Sequence, residues 1–323
     1  MATVRLTMAQ ALVRYLCAQR SEADGAEVPL FAGVFAIFGH GNVASLGDAL
    51  YAARAELPAL RAHNEQAMAH AAIAFAKASS RRRVMACTTS IGPGATNMVT
   101  AAAVAHLDRL PVLLLPGDVF ADRRPDPVLQ QVEDFGDPTV SANDCFKPVS
   151  RYWDRITRPE QLLASLPAAI DVLMDPATCG PVTLALPQDV QAEAYDYPEP
   201  FLRPRVHRLR RPGPDAGQLA VAAERLRDAT KPLLIAGGGV HYSLAWDALR
   251  RFAERHAIPV AETQAGKGAL PWNHPSAVGA IGVTGSSAAN ALAAEADVVL
   301  AVGTRLGDFA TGSRALLDRK SVV

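Results

Sequence analysis

The sequence predicts an α/β protein made of two doubly wound parallel-sheet domains. Three observations predict it. Short runs that are apolar throughout alternate with longer helix-favouring segments. One proline-rich, aperiodic stretch interrupts the alternation near the middle, and the alternation then resumes. The length of 323 residues also exceeds the usual size of a single domain.

In the first part the candidate strands are Val34–Phe38, Val84–Thr88, Val112–Leu115 and Val182–Leu186, each too short for a typical helix and flanked by Gly, Pro or Ser. Strands that are apolar on both faces and separated by helices belong in a mainly parallel sheet covered on both sides. Thr7 and Gln10 form a capping box that opens a helix to about Arg20. Asn64 to Lys77 is alanine-rich and helix-favouring. Thr157 with Glu160, and Pro159 in the first turn, opens a helix to about Met174.

Tyr195 to Pro214 carries Pro198, Pro200, Pro204, Pro212 and Pro214 among charges and has no periodicity. It predicts a linker at 196–214 between a domain at 1–195 and one at 215–323. The second domain reads as strand Leu233–Ala236, helix 243–256, strand Pro259–Glu262, helix 286–295 and strand Val298–Val302. The chain runs only to Val323, so this sheet is expected to have few strands, and Arg319 to Val323 matches no expected element.

Composition narrows the function. Lys+Arg and Asp+Glu are equal at 32 each, so there is no net charge to attract nucleic acid; Arg81–Arg83 and the Arg203–Arg211 stretch read as solvated loops. The four cysteines, Cys17, Cys87, Cys145 and Cys179, are far apart with no CxxC pair, which suits reduced thiols in the cytoplasm. No signal peptide is read in Met1 to Arg20, and no run reaches the roughly 18 apolar residues of a membrane span.

Three stretches carry candidate chemistry. In Arg61-Ala62-His63-Asn64-Glu65-Gln66, Glu65 opens an alanine-dominated helix. Such an acid complements the helix dipole by about 0.3–1 kcal/mol whatever else it does. A metal set of His63, Glu65 and His70 fails, because at 3.6 residues per turn Glu65 points about 200° away from His63. In Ser90-Ile91-Gly92-Pro93-Gly94-Ala95-Thr96-Asn97 a glycine turn follows a strand and opens a helix, which lets a ligand approach the backbone. A plain strand-to-helix turn would read the same, and no GKS or GKT follows to make it a Walker loop. Phe38-Gly39-His40-Gly41-Asn42 sits at a strand's C-terminal end, where open α/β sheets bind ligands. His40 there suits acid–base work or hydrogen bonding, although a lone loop histidine is more often merely solvated.

In this order the three stretches resemble the pyrimidine-binding domain of the thiamine-diphosphate enzymes of the acetohydroxyacid synthase and decarboxylase family. That family has a strand-end glycine loop, an Arg-His-Glu-Gln helix start and a Ser-Gly-Pro-Gly-Ala-Thr-Asn turn. This chain departs by inserting Asn64 before Glu65 and Ile91 after Ser90. Lys231–Gly239, Thr263–Gly268 and Val302–Arg305 are similar to the family's central domain, so the likeness reaches about Gly312. Phe38–Ala44 and the region from Leu114 to Pro148, with Gln130-Gln131-Val132-Glu133-Asp134-Phe135, look like the branch that hydrolytically opens a cyclic polyol dione in myo-inositol breakdown.

The resemblance implies specific roles. Glu65 is the carboxylate that bonds the aminopyrimidine of thiamine diphosphate. Pro93, Gly94 and Asn97 line the ring, while Gly39, His40, Asn42 and Gln130 face the substrate. The family anchors the diphosphate through Mg2+ on a Gly-Asp-Gly motif of a third domain, and no Gly-Asp-Gly occurs here. The chain is therefore expected to be an N-terminal fragment with a truncated central domain, inactive alone, and a homodimer or homotetramer when full length. Two rivals remain: a fragment of an acetohydroxyacid synthase-like carboligase with flavin on the second domain, and a non-catalytic nucleotide-binding α/β protein built on Gly237-Gly238-Gly239. The Phe38–Asn42 loop speaks against the first, and the lack of full GxGxxG spacing weakens the second.

Overall fold

The computed structural model describes residues 2–122, 128–132, 134, 136–317 and the backbone of 321–322. Glu133 and Phe135 of the Gln130–Phe135 stretch, and Arg319, Lys320 and Val323, lie outside the described residues. The chain divides into two compact units, Met1–Arg210 and Arg211–Val323.

The first unit has eleven described strands: β1 (Thr3–Thr7), β2 (Gln19–Ala23), β3 (Ala26–Pro29), β4 (Phe31–Ile37), β5 (Ala59–Arg61), β6 (Val84–Thr89), β7 (Val112–Asp118), β8 (Tyr152–Arg155), β9 (Pro181–Pro187), β10 (Ala194–Pro198) and β11 (Arg205–Arg208). Six of them form one sheet in the order β5-β4-β6-β7-β9-β8, with every pair parallel. All residues of β6, β7 and β9 are buried, as a sheet covered on both faces requires. After β4 the chain crosses to β5 on one side, and after β6 it crosses to β7 on the other. The carboxyl ends of β4 and β6 thus flank a topological switch point, where the connections diverge and leave a crevice.

The capping box of Thr7 and Gln10 forms as read, each side chain meeting the other's backbone N–H. Its helix, Met8–Cys17, stops short of Arg20 because Gln19 already begins β2. Asn64 caps the helix Glu65–Ala78, accepting from the Ala67 N–H at 2.8 Å. The third helix begins later than read: a 3-10 turn at Pro159–Gln161 leads into Leu162–Met174. The closing acceptor is Gln161, not Glu160, taking the Arg158 N–H at 2.9 Å.

The expected linker at 196–214 is corrected for most of its length. β10 pairs antiparallel with β1, and β11 pairs parallel with β2. Tyr197 is fully buried and donates from Oη to the Pro159 carbonyl at 2.8 Å, and Phe201 stacks on Tyr15. The prolines hid these strands because they sit at strand ends and in a 3-10 turn, where a missing N–H costs nothing. The apolar residues between them are too few to show a period. The boundary between units falls at Arg210 and Arg211.

The second unit holds β12 (Pro232–Ala236), β13 (Val260–Glu262), β14 (Ala277–Ala280), β15 (Val298–Val302) and β16 (Ser321–Val322), in the parallel order β14-β13-β12-β15-β16. Leu233, Ile235 and Val299 face one apolar layer; Leu234, Ala236 and Val260 face another. The tail, expected to match no element, contributes β16. The helix read from 243 begins at Trp246. The helix Ala216–Asp228 was missed because none of its residues is buried, so it carries no core-facing stripe. No helix among the described residues is long and apolar enough to cross a membrane.

Candidate functional site

The two glycine turns meet at the switch point of the first sheet. The Ser90 N–H donates to the Ile37 carbonyl at 3.0 Å, continuing the β4–β6 ladder past the strand ends. Gly39 has φ +52°, and a Cβ there would lie 2.5 Å from both Cβ and Oγ of Ser90. Only glycine permits that backbone and that approach. Gly92, at φ +60°, is held in the same way against the Gln130 carbonyl.

Glu65 enters from the side. As the first residue of its helix it is only partly buried, and its Oε2 accepts from Nδ2 of Asn97 at 2.8 Å. Oε1 has no hydrogen-bond partner among the described residues. A Cβ on Gly94 would stand 3.4 Å from that oxygen and 3.5 Å from Ser90 Cβ, in ordinary contact with both, so Glu65 Oε1 lies beside the side-chain-free face of Gly94. Glu65 and two residues of the other motif, Gly94 and Asn97, are therefore neighbours. Pro93 begins the short helix of the same turn and is exposed.

Ser90 was not singled out in the sequence. It is 8% exposed, and its Oγ is buried with no hydrogen-bond partner. Burying a hydroxyl without a partner costs roughly 1–3 kcal/mol, and this one is enclosed against the backbone of Gly39. A flat ring bearing nitrogen donors and acceptors, such as an aminopyrimidine, fits this chemistry. It would meet a carboxylate oxygen that has no partner among the described residues, beside a glycine with no side chain to exclude it.

The substrate-side residues divide. His40 is half-buried; its Nε2 is 2.9 Å from the Leu129 carbonyl, and its own carbonyl accepts from Gln188 Nε2. Gln130 is exposed at φ +60°, with its backbone seated on Gly92. Gly39, His40 and Gln130 thus gather at the crevice. Asn42 does not join them. It is 0% exposed; its Nδ2 donates to Thr88 Oγ1 at 2.8 Å and to the Leu115 carbonyl at 3.2 Å, and its Oδ1 accepts from Gln191 at 2.8 Å. The expectation that Asn42 faces substrate is corrected: residues 39–42 coil into a helical turn that points residue 42 inward, where its amide ties β6 and β7 to the turn after β9.

A charged cluster missed by sequence reading braces the far wall. Asp118, at the end of β7 and 2% exposed, accepts from Arg155 Nε and Ser141 Oγ, each at 2.6 Å. Arg155 also donates to Ser141, Asp144 and the Thr139 carbonyl, and lies over the Trp153 ring. Burial alone would lower the Arg155 pKa, but the charges and hydrogen bonds of Asp118 and Asp144 outweigh it and hold the guanidinium above its ordinary value. Burial pushes Asp144 up, yet the bonds from Lys147 and the Ser141 N–H and the Arg155 charge leave it below its ordinary value. The cluster fastens both ends of the connection that carries Leu129 and Gln130. No group of three or more His, Cys, Asp or Glu able to hold a metal occurs among the described residues.

Comparisons with known proteins show what the chain is similar to. Residues 31–137 match the family model described as the N-terminal TPP binding domain of thiamine pyrophosphate enzymes, and residues 219–323 match the model of their central domain. The chain is 53% identical over 323 residues to a protein of Geobacillus thermodenitrificans named 3D-(3,5/4)-trihydroxycyclohexane-1,2-dione hydrolase. It is 52% identical over 322 residues to proteins of the same name from Clostridium tetani and Bacillus anthracis. Each alignment covers 100% of this chain and 50% of the relative, so the chain spans about half the length of the curated relatives it matches.

Proposed function

The chain belongs to the thiamine pyrophosphate enzyme family, and on that premise we propose that it supplies the pyrimidine-binding domain and central domain of a 3D-(3,5/4)-trihydroxycyclohexane-1,2-dione hydrolase. The observation that carries the reading is the Glu65 carboxylate at the switch point, with Oε2 tied to Asn97 and Oε1 beside Gly94 with no donor among the described residues. The name shared by relatives at 52–53% identity supports the substrate over a carboligase's.

In this reading Glu65 Oε1 shares a proton with the ring nitrogen of the aminopyrimidine and so selects the tautomer whose exocyclic nitrogen can take up a proton. Thiamine diphosphate, when bound, supplies the carbanion and electron sink for cleaving a bond next to a carbonyl. Gly94 admits the ring. Gly39, His40 and Gln130 orient the polyol dione from the crevice wall, while Asn42 positions their loop from beneath. Across the whole reaction the ring C–C bond breaks and the elements of water add to its two ends. The open-chain acid 5-deoxyglucuronate forms with no external oxidant or reductant, in myo-inositol catabolism.

The proposal extends to Mg2+ on the diphosphate, held by residues outside these 323, to an assembly of at least two chains, and to the cytoplasm. In the enzyme carrying this chain, Glu65→Gln should slow C2 deuterium exchange of bound thiamine diphosphate by ~10²-fold or more, the usual worth of a placed acid–base group. Exchange within about threefold of the parent would remove Glu65 from this role.

A further inference from the structure

The two oxygens of the Glu65 carboxylate stand in different surroundings. Oε2 receives Nδ2 of Asn97 at 2.8 Å, across 32 residues of chain. Oε1 meets no donor among the described residues and lies 3.4 Å from where a Cβ on Gly94 would stand. The last torsion of a glutamate is broad and roughly two-fold, so an untethered carboxylate exchanges its oxygens freely. A hydrogen bond to an ionised acceptor is about twice as strong as a neutral one and removes that freedom. An ionised carboxylate only accepts, so the amide must turn its nitrogen, not its oxygen, toward Glu65. Asn97 is itself held, since its backbone N–H donates to the Pro93 carbonyl at 3.2 Å.

We propose that Asn97 is a positioning residue, not a ring contact: it clamps Glu65 Oε2 so that Oε1 alone is offered to the aminopyrimidine across Gly94. The inference rests on the reading of this turn as the ring's site. It gives the Ser90–Asn97 turn two separate tasks. Gly94 makes room, and Asn97, one helical turn later, aims the acid.

The test uses the 323-residue chain, isotope-labelled, with 4-amino-5-hydroxymethyl-2-methylpyrimidine as the probe. In the ligand-free chain the two Asn97 side-chain amide protons should differ in shift and exchange, and Glu65→Ala should collapse the difference while Gly94→Ala leaves it. Asn97→Asp is isosteric but cannot donate. It and Asn97→Ala should each weaken binding of the pyrimidine by ~10-fold, the effect of losing one charge-assisted bond. Backbone amide spectra will confirm that both variants keep the parent fold. Unchanged Asn97 amide signals in Glu65→Ala, or pyrimidine binding by both Asn97 variants within about twofold of the parent, would overturn the proposal. If the parent spectrum does not respond to the pyrimidine at all, the reading of the site falls and the proposal with it, while the amide signals still reveal whether the clamp exists.

Discussion

Arg155 Nε lies 2.6 Å from Asp118 Oδ2, and the carboxylate is 2% exposed. Taking both charges out of water is costly, and the pair holds only because Ser141, Asp144 and the Val119 N–H satisfy what remains. Removing one partner leaves a buried charge alone. Arg155→Met should therefore destabilise the first unit by ~3–5 kcal/mol, whereas Asp118→Asn with Arg155→Met should cost clearly less than the single change. Urea unfolding followed at Trp153, with Trp246 and Trp272 replaced by Phe, reads this unit alone. Equal costs for the single and double variants would mean that the pair is not coupled.

Gly92 and Gly94 differ in what an added methyl would meet, and this predicts opposite phenotypes. At Gly92 the φ of +60° is already unfavourable for alanine, and the methyl would run into the Gln130 carbonyl. Gly92→Ala should destabilise the chain by ~1–3 kcal/mol and free the backbone of 128–132 from the turn. At Gly94 the nearest atoms are 3.4 and 3.5 Å away, ordinary contact distances. Gly94→Ala should leave stability within ~0.5 kcal/mol of the parent while blocking the pyrimidine probe. Thermal melts and the shift titration separate the two effects; a Gly94→Ala chain that binds normally would place the ring elsewhere.

The long apolar strands β6, β7 and β9 and the Thr7 cap were legible because each rests on a local rule that tertiary packing reinforces. Glu65 and the Gly92–Gly94 turn were legible as motifs, and their convergence followed from strand ends sharing one edge of a parallel sheet. What stayed hidden depends on distant partners. β10 and β11 are strands only because β1 and β2 lie beside them, and five prolines mask their weak pattern. Ser90 is notable only through the absence of a partner for its hydroxyl. Asn42 was assigned to the substrate side by the resemblance of its loop, yet the coil at 39–42 turns it to the core. Asp118 and Arg155 are 37 residues apart, and no spacing rule joins them.

Asp297 predicts a pH dependence in the second unit. Its carboxylate accepts from the Thr230 hydroxyl at 2.7 Å, from the Thr230 N–H at 2.7 Å and from the Lys231 N–H at 3.0 Å. These bonds, the Thr230 hydroxyl foremost, hold its pKa down to about 2, against an ordinary value of 3.8. A pKa depressed by folding means the unfolded chain binds the proton more readily. The stabilisation is thus complete above the ordinary carboxylate range and fades as pH falls from near 4 toward 2. Asp297→Asn should melt below the parent at pH 6, and the two should converge near pH 2. A constant gap across that range would show that the bonds do not favour the ionised form.

The thiols should separate by burial rather than by sequence. Burial raises Cys17 to about 11, with Glu56 nearby adding to the rise, so almost none of it is thiolate at neutral pH. Cys87 is fully enclosed and pushed up further, and burial likewise raises Cys179, which donates to the Arg109 carbonyl. Cys145 is exposed on the turn Ala142–Val149. Since the thiolate is the reacting form, iodoacetamide at pH 7.5 should label Cys145 first and the other three only on unfolding. Native-state labelling of Cys87 as fast as Cys145 would contradict the closed packing of β6 against the helix Glu65–Ala78.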